Sequence, residues 1–282
     1  MSFEGSPPAT GPGRTPPDPR AQRQDVPDGL WAKCPGCSAM LYRKELERDL
    51  FVCKSCAHHL RLDARERIAL MADPDSFREH DAELAPANPL DFPGYDERLQ
   101  AAQQATGLRD AFVWGEAAMG GLPVVIGASD HRFIMGSMGS VLGEKVARAF
   151  EHGSAAGLAV VLFSCSGGAR MHEGLLSLMQ MAKTAAAAQR LAQAGLPYIS
   201  VLTDPVTAGV LASYASLGDV MLAEAGALVG FAGPRVIEQS LKIKLPPGTH
   251  TAEFQLRHGM LDLVLQRREL QPTIVKLLRW ML

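Results

Sequence analysis

The chain has 282 residues, of which 47% are hydrophobic and 21% charged, a balance that excludes a wholly disordered or fibrous protein. Its 28 basic and 30 acidic side chains leave a formal net charge of -2, so bulk charge gives no argument for nucleic-acid binding. The longest apolar runs, such as Leu158 to Phe163, fall far short of the ~18 residues that a membrane span needs.

Residues 1–29 read as a disordered tail, because Pro7, Pro8, Pro12, Pro16, Pro17 and Pro19 are interleaved with Gly and Thr and can build neither helix nor core. The tail has no apolar stretch of the kind a secretion signal requires. Its acids Glu4, Asp18, Asp25 and Asp28 argue against an organelle transit peptide. With sparse cysteines, this points to a reducing cytoplasm.

Residues 30–62 hold four of the five cysteines. Cys34-Pro-Gly-Cys37, fifteen further residues, and Cys53-Lys-Ser-Cys56 have the two-knuckle spacing of a zinc ribbon. Two tight turns facing each other supply four soft thiolates in a tetrahedron, a closed shell that makes the metal structural rather than catalytic. His58 and His59 follow directly and read as surface residues. The stretch 31–70 is mildly basic, which permits contact with a phosphorylated ligand or nucleic acid; a solvated face is the plainer alternative.

Residues 63–110 read as a connector with short helices. Asp63 caps a helix and Glu66 reaches back three residues later. The Pro-interrupted, acidic segment 73–97 reads as solvated, with one short helix following Asp96. From 111 to 282 the pattern becomes one α/β unit. Strands are expected at 112–118 and 124–128, with Gly120-Gly121 as a hairpin turn between them. A helix capped by Ser140 runs to about 156. A buried strand at 158–164 leads into a long helix over 169–194. Another strand at 198–202 precedes a helix at 206–216. Short strands at 219–223 and 227–231 then lead to helices at 234–241, 251–258 and 269–281.

The chemistry-bearing element is Phe163-Ser-Cys-Ser-Gly-Gly-Ala-Arg-Met171, where a buried strand meets the long helix. Paired glycines let the backbone turn sharply, and their N–H groups beside a helix N-terminus form a cradle for negative charge. The loop is neither a Walker A loop nor a dinucleotide fingerprint. It is a near miss to the serine hydrolase elbow, with Ser164 where the first glycine should stand.

Ser166-Gly-Gly-Ala-Arg-Met171, Leu178-Met-Gln-Met-Ala-Lys183 and Pro197-Tyr-Ile-Ser-Val-Leu-Thr-Asp-Pro205 closely resemble the β subunits of the bacterial acetyl-CoA carboxylase carboxyltransferase. So do 228–239, 244–248 and, near the cysteines, Trp31-Ala-Lys-Cys34, 41–46 and 58–68. The likeness runs from about residue 30 to about 265. It implies a crotonase-like spiral of ββα units joined to the zinc ribbon. It also implies transfer of a carboxyl group from carboxybiotin on a carrier protein to acetyl-CoA, giving malonyl-CoA. By match to the family's Gly-Gly, Gly167 and Gly168 become the amide donors to the enolate oxygen, each such donor being worth about 3 kcal/mol. Arg170 becomes either a contact to CoA phosphate or a brace on backbone carbonyls. The chain has no Met-Lys-Met biotin-attachment motif and no nucleotide loop, so the carrier and the ATP-dependent biotin carboxylase are other chains. An α subunit is expected to complete the cleft in an α2β2 assembly.

Several residues need separate readings. Cys165 reads as a small buried residue, standing where the family commonly has Ala. His172 reads as a helix-surface residue, and Met171, Met179 and Met181 as core. Against the family pattern, Met135 occupies a frequent glycine, Ala208 replaces the first glycine of a Gly-Gly-Val run, and His131 stands where an aromatic is common. Two other functions compete. A self-sufficient crotonase-type acyl-CoA enzyme would need its own acid or base, with Glu173 the nearest candidate. A nucleic-acid-binding zinc protein would use the lysines and arginines of 33–67.

Overall fold

The computed structural model describes residues 30–282, so the tail expected over 1–29 lies outside the described residues. A two-stranded ribbon comes first, with β1 (Trp31–Lys33) antiparallel to β2 (Met40–Tyr42) and α1 (Arg43–Arg48) following. Next is α2 (Ala64–Met71), which begins as the sequence says: Asp63 Oδ1 accepts from the Glu66 N–H at 2.7 Å, and the Asp63 N–H donates to Glu66 Oε2 at 3.1 Å.

The segment read as a solvated connector contributes to the main sheet. Within it, β3 (Arg78–His80) pairs antiparallel with β4 (Phe112–Met119), and α3 (Tyr95–Thr106) starts just before Asp96. Asp73 also has structural work: its carboxylate accepts the N–H groups of Gly120 and Gly121, at 2.9 and 2.8 Å. Those glycines turn β4 into β5 (Leu122–Ser129) as expected.

The remaining elements are α4 (Ser140–Ala156), β6 (Ala159–Ser166), α5 (Gly174–Gln193), β7 (Tyr198–Thr207), α6 (Ala208–Leu211), β8 (Val220–Glu224), β9 (Val229–Gly230), α7 (Pro234–Leu241), α8 (Ala252–Arg257), β10 (Leu263–Leu265) and α9 (Arg267–Met281). The sheet order is β10-β8-β7-β6-β5-β4-β3, with β9 beside the far end of β7. Pairing is parallel from β5 to β10 and antiparallel at the β3–β4–β5 edge. All eight residues of β6 are buried, the pattern of a central strand covered on both faces.

Three differences from the sequence reading place the site. β7 runs on to Thr207, because Val206 pairs with both Ser166 and Val229; the helix expected at 206–216 shrinks to α6 and a 3-10 turn at Tyr214–Ser216. The long helix begins at Gly174 rather than 169, because Ala169 is held in a bridge to Met138 and a 3-10 turn occupies Met171–Glu173. At α4 the cap position falls to Gly139, and the Ser140 N–H donates to the carboxylate of distant Glu173 at 2.6 Å. The strand β10 carried no expectation; it is short and pairs only with β8.

Candidate active site and zinc centre

The turn after β6 is tied to the segment 135–138 by backbone bonds. The Gly167 N–H donates to the Met135 carbonyl at 2.9 Å, Met138 N–H to Gly168 O at 2.8 Å, and Arg170 N–H to Met138 O at 2.9 Å. The Gly168 N–H has a different partner, the Ser166 hydroxyl, at 3.0 Å. Of the two glycines expected as amide donors, Gly167 has its N–H held by backbone. At Gly168 the donor meets only a side chain. Glycine is required there: φ is +116°, and a Cβ would stand 2.7 Å from that of Ala208 on the facing turn. Gly136 is equally constrained, since its Cβ would lie 2.2 Å from the Cys165 carbonyl oxygen.

Arg170 braces this turn. Its side chain is buried, with Nη1 donating to Asp110 Oδ2 at 2.6 Å and Nη2 to Ser137 O at 2.8 Å. Nη1 also reaches the Tyr95 hydroxyl at 3.3 Å, and Nε reaches Ser137 Oγ at 3.3 Å. Burial alone would lower its pKa, but the Asp110 carboxylate beside it overrides this and raises it. Of the two roles expected for Arg170, the geometry realises the brace. Reaching a CoA phosphate would mean extracting a buried, fully engaged guanidinium.

Glu173 belongs to the same cluster. It is buried and accepts from the Tyr95 hydroxyl at 2.6 Å and from the Ser140 N–H at 2.6 Å. That removes the carboxylate on which the self-sufficient enzyme depended. His172 is half-buried, stacked on Tyr95 with ring centroids 4.9 Å apart, and burial with Arg98 beside it lowers its pKa. Cys165 is buried, its thiol donates to the Asp204 carbonyl at 3.2 Å, and burial pushes its pKa up to about 12, the state of an inert thiol. Two methionines read as core are in fact exposed, Met171 at 83% and Met179 at 55%, and Leu175 at 69% lies beside them. Asp110, Tyr95 and Ser137 carried no sequence signal, because they lie 33 to 75 residues from Arg170 and meet it only in the fold.

The unusual residues gather here as well. Met135 holds φ at +58° and Ala208 at +50°, both in the left-handed region that favours glycine. The Met135 side chain lies against Gly167, its Cε 2.9 Å from where a Cβ on that glycine would be. His131 is half-buried near Arg61 and Asp204, and burial lowers its pKa.

At the ribbon, the sulfurs of Cys34 and Cys56 are 3.6 Å apart and those of Cys37 and Cys53 are 3.7 Å apart. Four sulfurs at ~2.3 Å from a tetrahedral zinc would be ~3.8 Å from one another, so this donor set fits that ion. The ribbon is clamped to the sheet. Glu224, on β8, accepts from Arg267 Nε at 2.6 Å and Nη2 at 2.8 Å, and also pairs with Arg67. Arg267 donates onward to the ribbon carbonyls of Leu50 at 2.8 Å and Leu60 at 2.9 Å. Burial would raise the Glu224 pKa, but Arg67 and Arg267 hold it well below the usual carboxylate range. His59 is buried against this cluster with a ring nitrogen 2.9 Å from Gln266 Oε1, so it is a docking residue rather than a surface one. Arg43, Lys54, Arg61, Arg65 and Arg67, part of the basic stretch, each pair with a carboxylate.

Comparison with known proteins places these features. Residues 59–245 match the model of the carboxyl transferase domain, and residues 31–56 that of the acetyl-CoA carboxylase zinc finger domain. The acetyl-coenzyme A carboxylase carboxyl transferase subunit beta of Desulforamulus reducens is 57% identical over 257 residues, covering 91% of this chain and 89% of that one.

The chain belongs to the acetyl-CoA carboxylase carboxyltransferase β-subunit family.

This family membership makes it a carboxyltransferase subunit with a crotonase-like fold and an N-terminal zinc ribbon. Among solved structures, the transcarboxylase 12S core with bound methylmalonyl-coenzyme A superposes with a TM-score of 0.67 at 27% identity, over 77% of this chain. The chain spans 41% of that larger protein. In Natranaerobius thermophilus a β/α fusion is 49% identical over 93% of this chain, which covers 43% of the fusion.

Proposed function

We propose that this β-family chain transfers a carboxyl group from carboxybiotin, carried on a separate protein, to acetyl-CoA, forming malonyl-CoA. The observation that carries the proposal is the glycine turn at the end of the central strand, where Gly168 meets Ala208 with no side chain of its own between them. A planar thioester can approach such a backbone closely. Its α-carbon must lose a proton, which places charge on the enolate oxygen, before it attacks the carboxyl carbon. The Gly168 N–H is the donor we assign to that oxygen. Its present acceptor is a serine hydroxyl, which a rotamer change withdraws. Gly167 acts differently, keeping the turn in shape through its bond to Met135. Carboxybiotin supplies the carboxyl group and, once that has left, a basic ureido nitrogen for the proton. No side-chain base is then needed, in keeping with a Glu173 already engaged by two donors.

We assign the other half of the cleft to a carboxyltransferase α subunit in an α2β2 assembly. Exposed Met171, Leu175, Leu178 and Met179 form an apolar strip beside the turn, and the natural β/α fusion favours this partner. The biotin carboxyl carrier protein and the ATP-dependent biotin carboxylase are separate chains in this scheme, which operates in the cytoplasm. No helix among the described residues is long and apolar enough to cross a membrane.

Co-purification with an α subunit, followed by assay of malonyl-CoA formation from acetyl-CoA and carboxybiotin, tests the scheme. A formed complex that carboxylates no short acyl-CoA overturns it. Gly168→Val should abolish turnover and leave zinc content intact, whereas normal turnover would remove this turn from the mechanism.

A further inference from the structure

At the opposite, antiparallel edge of the sheet, three metal-binding side chains converge from three elements. His80 ends β3, Glu116 lies on β4 and His152 on α4. Their donor atoms all lie within 4.8 Å of one another. A ring nitrogen of His152 is 2.7 Å from Glu116 Oε1, one of His80 is 3.7 Å from the same oxygen, and the two imidazole centroids are 5.0 Å apart.

We propose that His80, Glu116 and His152 form a second metal site, for zinc or a similar divalent transition ion, independent of the cysteine ribbon. Two imidazoles and a carboxylate are a donor set that zinc takes with a water in the fourth position. Ligands at ~2.0–2.1 Å from a tetrahedral ion stand ~3.3–3.4 Å apart, a spacing that the two observed separations bracket.

The surroundings leave the carboxylate available. Among the described residues no Lys or Arg pairs with Glu116. Arg148, one turn before His152 on α4, is held instead by Asp81 at 2.7 Å and Glu144 at 2.6 Å. The Trp114 ring stacks on His80 at 4.9 Å and fixes one ligand in place. The three ligands are 30 to 42% exposed at their side chains, so an ion can enter from solvent. Once bound, it would pin the three-residue edge strand β3 to α4.

The test is zinc stoichiometry on the full chain after dialysis against the free metal. The wild-type protein should hold two zinc ions, one tight and one exchangeable, and His152→Gln and Glu116→Gln should each hold one. Circular-dichroism spectra and thermal melts matching the wild type show that the variants are folded. Cu2+ titration should quench tryptophan fluorescence more in the wild type than in either variant. A single zinc in the wild type, or two zincs retained in both variants, overturns the proposal.

Discussion

The two buried arginine clusters of this protein are built with opposite imbalance. At the ribbon junction, two guanidinium groups, Arg67 and Arg267, converge on one carboxylate, Glu224. At the glycine turn, one guanidinium, Arg170, faces two carboxyl groups, Asp110 and Glu173. The first cluster joins separate layers, and Arg267 reaches outward from it to carbonyls of the ribbon. The second is closed on itself, and two of its three members fix a backbone segment: Arg170 holds 137, Glu173 holds 140. One is a clasp between parts and the other a frame around a working loop. Losing the clasp should free the ribbon while leaving the turn intact, whereas losing the frame should do the reverse.

Removing the metal tests the clasp most severely. Zinc contributes on the order of 10 kcal/mol to a module of this kind, so a strong chelator should unfold the ribbon and expose 30–62 to protease while the sheet persists. Resistance of that segment without zinc would argue that the clasp alone holds it. Next in size, Glu224→Gln leaves two buried guanidinium groups without a carboxylate and should cost about 3–5 kcal/mol, measured by denaturant unfolding. The pH dependence has a definite sign. The folded-state pKa of Glu224 is depressed, so its contribution is complete above the ordinary carboxylate value and lost as pH falls through the folded one. The Glu224 contribution to docking should therefore survive mild acid and be lost only in strong acid; loosening at pH 6 with zinc still bound would contradict it.

On the frame, Arg170→Gln leaves Asp110 and Glu173 buried without their cation and should also cost about 3–5 kcal/mol. Here turnover should fall with stability while zinc content and ribbon protection hold; a loss of ribbon zinc would erase the distinction between clasp and frame. The smallest effect belongs to Met135→Gly. Relieving a left-handed conformation of an L-residue is worth ~1–2 kcal/mol, and the side chain lost is 58% exposed, so thermal stability should rise.

Much of this was legible in the sequence because its physics is local. The cysteine spacing, the Asp63–Glu66 box, the Gly120-Gly121 hairpin and the apolar run of β6 each encode a structure within a few residues. What escaped is non-local. Nothing near Arg170 announces Asp110, and nothing near Glu224 announces Arg67 and Arg267. The exposed Met171 and Met179 misled for a related reason: apolar residues at helical spacing look the same whether the covering surface is the protein's own core or another chain. The acidic segment 73–97 looked solvated because its charges hid a three-residue strand and a carboxylate that closes a hairpin.

Arg267 stands at the head of α9, yet it holds carbonyls of Leu50, Phe51 and Leu60 more than two hundred positions earlier. During synthesis the ribbon leaves the ribosome long before that arginine is made. It can capture its metal early and can meet Asp204 of β7 through Arg61, but the Arg267 half of its fastening comes only when α9 emerges.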